Sequence, residues 1–126
     1  MFRENHTAIQ AATQEFYTIS SGMRVFDCID LLVRKKYLII DQGLEAPSLL
    51  RAEMVISALL SEWLTPETIV DELAEQINHI SPDASLMDAI DLLIRSEALI
   101  ALVDDLALDE DSLLNFWLSQ IDKGAA

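Results

Sequence analysis

Several residue types are scarce in this 126-residue chain, and each scarcity argues against a class of protein. The single cysteine, Cys28, has no partner for an internal disulfide bond, so we expect a reducing compartment. Three glycines and three prolines supply few of the turn residues that β-sandwiches and barrels need. No apolar run approaches the ~20 residues of a transmembrane helix. The sequence therefore predicts a cytoplasmic protein that does not enter a membrane.

Basic residues are also scarce, since 8 Lys and Arg stand against 22 Asp and Glu, for a formal charge of −14. A chain this negative repels nucleic-acid phosphates and anionic lipids, so we expect no direct binding to nucleic acid or to a membrane surface. Hydrophobic residues make up 52% of the sequence, which excludes a disordered acidic tail. The length suits one domain, and we expect residues 1–126 to form it.

The chain resembles itself at a shift of 61 residues. Residues 26–34 recur as 87–95 with Asp, Ile, Asp, Leu, Leu and Arg identical, and the shift persists outside this segment. We interpret the similarity as the duplication of a three-helix unit, with repeat units 5–64 and 65–123. The alternative is that one Leu-rich amphipathic helix resembles another by chance.

The spacing of apolar residues predicts helices. These residues recur three and four apart in several segments, and Thr65 with the proline after it is a helix start signal. Residues 48–64 are apolar on nearly every side, which predicts a buried central helix. Residues 37–40 fit a short strand or a helix, and we favour the helix because their counterpart, 98–103, has a helical pattern. The predicted fold is all-α, with about six helices packed as one globular domain.

Acidic residues are concentrated in the second half of the chain. Residues 1–63 carry 8 acidic and 6 basic residues, whereas residues 64–126 carry 14 and 2. On a helix, Glu67, Asp71 and Glu75 would form one stripe, because they lie four residues apart. We predict a partner-binding surface that consists of Glu67, Asp71, Glu75, Asp88 and Asp91.

This charge distribution predicts a non-catalytic binding or regulatory protein whose C-terminal half docks on a basic surface of a partner protein. One alternative is an inhibitor that imitates DNA toward a DNA-binding protein. Another is a homodimeric helical scaffold that uses Trp63 or Trp117 as its anchor. The acidic face could also serve solubility alone.

The sequence contains no recognisable catalytic or metal-binding pattern. His6 and His79 lack partners at metal-ligand spacing. We expect Cys28 to fill the core with a raised pKa, because it lies beside Asp27 and an apolar stripe. The acidic run 104–111 lacks the glycine and the ligand spacing of a calcium loop. We therefore predict no catalytic residues, no metal and no cofactor.

Overall fold

The structure is a computed structural model that describes residues 6–96 and 98–122. Short strands and helices alternate along these residues, with 3-10 turns at Val25–Asp27 and Val70–Leu73. The elements, in chain order, are α1 (Ala8–Ala11), β1 (Thr18–Ser20), α2 (Ile29–Lys35), β2 (Tyr37–Asp41), β3 (Ser48–Arg51), α3 (Ala52–Leu60), β4 (Glu75–Gln76), β5 (Asn78–His79), α4 (Leu86–Arg95), β6 (Ala101–Val103), β7 (Leu106–Leu108) and α5 (Glu110–Asp122).

The fold is mixed α/β, so the prediction of an all-α protein with about six helices is wrong. Residues 37–40 lie in β2 and residues 101–103 form β6, where the helix was favoured. Both strands are buried over nearly their whole length. A strand that is buried on both faces is an unbroken apolar run, and the spacing of its residues does not distinguish it from a short buried helix.

The predicted central helix over 48–64 is also wrong, because the chain changes structure within it. Residues Ser48–Arg51 form β3, and α3 covers only Ala52–Leu60. The proline signal after Thr65 begins a turn rather than a helix, and it leads to the 3-10 turn and to β4.

Residues 16–77 form one compact unit around a mixed sheet. The strand order is β1-β2-β3-β4, with β1 parallel to β2 and the other neighbours antiparallel. One face of this sheet contributes Leu38, Ile40 and Leu50 to a core that includes Leu32 of α2 and Val55 of α3. The helices α2 and α3 therefore bury their apolar faces with this side of the sheet.

The second compact unit combines residues 6–15 with the described residues from 78 onward. Its sheet has the order β5-β6-β7, with β5 parallel to β6 and β6 antiparallel to β7. The core includes Ala11 of α1, Leu86 and Leu93 of α4, and Leu108 of β7. The segment around Thr13 joins this unit through a bridge to Ala107.

The two units have the same order of elements, strand–helix–strand–strand–helix. Of the segments that match at the shift of 61 residues, 26–34 runs from the 3-10 turn into α2 and 87–95 lies in α4, and these two helices occupy the same place in each order. The repeated unit contains strands, so its three-helix composition is wrong. The two compact units do not coincide with the predicted repeat units 5–64 and 65–123. Residues 5 and 123, at the ends of those predicted units, lie outside the described residues. A single domain over 1–126 stays a prediction.

Leu50 tests the core of the first unit. Its side chain is fully buried between the sheet and the helices, so Leu50→Ala leaves a cavity. We expect the free energy of unfolding to fall by about 2–5 kcal/mol, measured by urea denaturation. Leu44→Ala is the matched control, because Leu44 is fully exposed and its loss should change stability by less than about 0.5 kcal/mol. Equal effects from the two substitutions would contradict this core.

Candidate functional site

The carboxylates that were predicted to form one helical stripe, Glu67, Asp71 and Glu75, do not share a helix. Glu67 lies in an exposed turn, Asp71 in a 3-10 turn, and Glu75 at the start of β4. Asp71 and Glu75 accept hydrogen bonds from within their own unit. The predicted stripe over these residues is therefore wrong.

Asp88 and Asp91 do lie on a helix, α4, where both are exposed. The backbone N–H of Asp88 donates to the Ser85 hydroxyl, which caps this helix at 3.1 Å. Asp91 pairs with Arg95 at 2.9 Å, one helical turn away. Their use by a partner stays a prediction.

The two tryptophans lie in different units. Trp63 is exposed and follows α3, whereas Trp117 lies half-buried on α5. Their role in self-association stays a prediction, because nothing in either unit tests it.

Basic and aromatic residues gather where β2 begins and β3 ends. Tyr37 and Arg51 are directly opposite each other in the antiparallel pair, so their side chains share one face of the sheet. The backbone N–H of Ala52, the first residue of α3, donates to the Lys36 carbonyl at 2.8 Å. This edge therefore brings Lys36 and Arg51 to the start of α3.

The guanidinium of Arg51 binds the Glu75 carboxylate in bidentate geometry. Nε donates to Oε2 at 3.0 Å and Nη2 to Oε1 at 2.9 Å. The two side chains are only 12% and 22% exposed, so the pair is largely shielded from water. A longer contact of 3.4 Å joins Nη1 to Glu53, whose side chain is 82% exposed. Arg51 is thus held in place with its charge beside the start of α3.

The start of α3 has no side-chain cap among the described residues. Its N-cap residue is Arg51, which carries donors only and cannot accept from the first-turn amides. A helix N-terminus with amides of this kind attracts anions through the helix dipole. Together with Arg51 and Lys36, it gives this edge the chemistry to hold a phosphate group.

Tyr17 adds an aromatic ring at the same end of the sheet. Its carbonyl accepts from the Ile39 N–H at 2.9 Å, which places it beside β2. Its ring is partly exposed, and the Lys35 ammonium lies 5.1 Å from the ring centroid. Exposed aromatic rings can stack on planar bases.

The corresponding junction in the second unit has the opposite chemistry. There Asp109 precedes α5, and its Oδ1 accepts from the Ser112 N–H at 2.8 Å. The Asp109 N–H donates in turn to the Ser112 hydroxyl at 2.9 Å, and both residues are buried. A carboxylate thus caps this helix start, and two further acids follow it at 110 and 111.

Sequence analysis did not identify Tyr17, Lys36, Tyr37 or Arg51 as site residues. A signal was present, because four of the 8 basic residues lie between 34 and 51 in a chain of charge −14. The negative total of the chain masks this local group of basic residues.

Three other observations concern the described residues. Cys28 is buried, and burial, with a smaller contribution from Asp27, raises the pKa of its thiol, which confirms the prediction of a core cysteine. Among these residues, no cluster of His, Cys, Asp and Glu side chains could hold a metal ion. None of their helices has the length and apolar character to span a bilayer.

Solved structures that share this fold are CBS-domain proteins. The CBS-pair protein CBSX2 from Arabidopsis thaliana is 18% identical with a TM-score of 0.74, over 94% of this chain and 98% of its own. CBSX2 in complex with AMP is 19% identical with a TM-score of 0.74, over 93% and 98%. A CBS domain-containing protein of unknown function from Bacillus anthracis is 14% identical with a TM-score of 0.72, over 93% and 96%.

No family model and no curated protein matches this sequence, so the likeness in structure defines the fold. It is the fold of a CBS pair, in which strands and helices alternate. The predictions of an acidic docking protein, a DNA mimic and a homodimeric helical scaffold are wrong on this finding. They assumed an all-α fold, and the described residues form a mixed α/β fold instead.

Asp71 gives a test by pH. The Ser21 hydroxyl donates to the Asp71 carboxylate, and the Gly22 N–H donates to it at 2.7 Å. These hydrogen bonds lower the pKa of Asp71. Because the folded pKa lies below the ordinary value of about 3.9, the stability it contributes is present above that value and is lost as the pH falls through the folded pKa. We expect Ser21→Ala to raise the pKa of Asp71, measured by NMR titration. Ser20→Ala is the control, and an equal Asp71 pKa in all three proteins would contradict this bond.

Proposed function

We propose that this chain is a regulatory module that binds an adenosine nucleotide and catalyses no reaction on it. Two findings support the proposal. CBS-pair domains are typically adenosine-nucleotide-binding regulatory modules, and one solved structure with this fold contains AMP. The observation that carries the proposal for this chain is Arg51, a partly buried cation at the uncapped start of α3.

In this proposal the phosphate group binds at the start of α3. Arg51 and Lys36 supply positive charge, and the first-turn amides of α3 supply donors. Tyr17 offers a ring for the adenine base. Each residue binds or orients the ligand, and none is required to transfer a proton or a group.

We propose one nucleotide per chain. The second unit has the same order of elements, but Asp109 already caps α5 and places a carboxylate where a phosphate would need a donor. The replacement of a cation by an anion at the equivalent junction makes the two units unequal in phosphate binding.

The proposal places the protein in the cytoplasm, where its thiol, Cys28, stays reduced. A regulatory module acts on another protein. A partner with a basic surface, which the acidic second half predicts, stays a prediction, as does a homodimer.

Isothermal titration calorimetry with AMP and with adenosine tests the proposal. Arg51→Gln removes the charged donors of the phosphate site, so we expect AMP affinity to fall roughly 10- to 100-fold. Adenosine has no phosphate, and its affinity should change less than about threefold, which also shows that the variant is folded. AMP should bind the original protein with a stoichiometry of one.

The control is Arg95→Gln, which removes an arginine of the same charge from an exposed ion pair in the other unit. We expect this variant to bind AMP normally. The proposal is abandoned if AMP does not bind, or if Arg51→Gln weakens adenosine as much as AMP.

A further inference from the structure

Glu75 occupies the edge of Arg51 that is best suited to a phosphate. Its two oxygens accept from Nε and Nη2 at 3.0 and 2.9 Å. Two parallel N–H donors of this kind are also what a phosphate group accepts from arginine. A ligand phosphate and the Glu75 carboxylate therefore require the same donors, and their like charges oppose simultaneous binding.

The strand that carries Glu75 is short and lies at the edge of its sheet. β4 contains two residues and, within the part of the chain that the structure describes, pairs with β3 alone, through Ser48 with Gln76 and Leu49 with Glu75. Glu75 lies on the same face as Arg51, because Leu49 and Arg51 are two residues apart in β3. The ion pair thus joins β4 to Arg51 at the end of β3, two residues past Leu49, the last residue of β3 that pairs with β4.

β4 is followed by Ile77, the last residue of this unit, and then by the second unit. Contacts that hold β4 against β3 therefore hold the chain directly before it passes from one unit to the next. A two-residue ladder is weak by itself, and the Arg51–Glu75 pair adds to the burial of Leu73 and Ile77 in holding β4 in place.

We infer that Glu75 competes with the phosphate of the ligand for Arg51, so that ligand binding releases Glu75 and loosens β4. The inference rests on the proposed function and assigns a regulatory role to that same site. In the free protein the carboxylate holds Arg51 and orders β4. When a phosphate binds, Glu75 turns to water at the open edge of the sheet, and the chain before the second unit gains mobility.

A positioning role for Glu75 predicts the opposite result. If the carboxylate only orients Arg51 for the ligand, its removal weakens AMP binding. If it competes, its removal strengthens binding. The sign of the change in affinity therefore separates the two roles.

The first test measures AMP and adenosine affinity of Glu75→Gln by calorimetry. We expect AMP to bind about tenfold more tightly, which corresponds to ~1.4 kcal/mol, and adenosine to bind as before. Glu45→Gln is the matched control, because it removes one negative charge from an exposed loop residue of the same unit, and it should leave AMP affinity unchanged. Unchanged or weaker AMP binding by Glu75→Gln overturns the inference.

The second test uses the unaltered chain and needs no variant to fold. We expect AMP to accelerate amide hydrogen exchange in residues 74–77, although ligands ordinarily slow exchange where they bind. Adenosine should leave exchange in this segment unchanged. Slower or equal exchange in residues 74–77 with AMP overturns the inference.

These outcomes separate the inference from the proposed function. AMP that binds the unaltered chain, with no gain in Glu75→Gln, overturns the competition alone. AMP that binds neither protein overturns both.

Discussion

The burial of β2 on both of its faces is the constraint on which the first unit depends. Leu38 and Ile40 of this strand face the core, while Tyr37 and Ile39 lie on the other side and are also buried. A strand that exposes neither face must find both its hydrogen-bonding neighbours within the sheet, and β1 and β3 supply them. The same pairing sets the register that places Tyr37 opposite Arg51. The position of Arg51 in the candidate site therefore follows from the pairing of β2 with β3.

One scaffold carries two different chemistries at equivalent places. In both units a strand leads into the last helix, β3 into α3 and β7 into α5. The residue at each junction, Arg51 or Asp109, sets the charge at the start of that helix. Arg51 cannot cap α3 with its side chain, and the Ala52 N–H donates to the Lys36 carbonyl instead, whereas Asp109 caps α5 itself. In the proposed function, the difference between the units depends on where these charges lie, and the total of −14 does not reveal it.

Only part of this structure could be predicted from the sequence. The shift of 61 residues correctly paired the segments that become α2 and α4, since long amphipathic patterns persist in sequence. The burial of Cys28 followed from its place beside an apolar stripe. Helix was preferred to strand at 37–40 because a short apolar run fits both, and only its partners in the sheet decide between them.

The candidate site could not be predicted for a related reason. Asp71 is fixed by Gly22, 49 residues away, and Glu75 by Arg51, 24 residues away. Contacts at such separations leave no periodic trace in the sequence. A helical stripe was therefore inferred where the chain forms a turn, a 3-10 turn and a strand.

If the proposed site holds a phosphate, the Arg51–Glu75 pair explains how an acidic protein keeps a cation there. A partly buried guanidinium without a counter-ion is costly, so the free protein needs a carboxylate beside it. Because this carboxylate lies on a two-residue strand at the edge of the described sheet, it stabilises the cation in the absence of ligand and, in the proposed competition, leaves when a phosphate arrives. The need to balance the charge of Arg51 would then couple ligand binding to the order of β4. A fixed counter-ion would satisfy the same electrostatic need and transmit nothing.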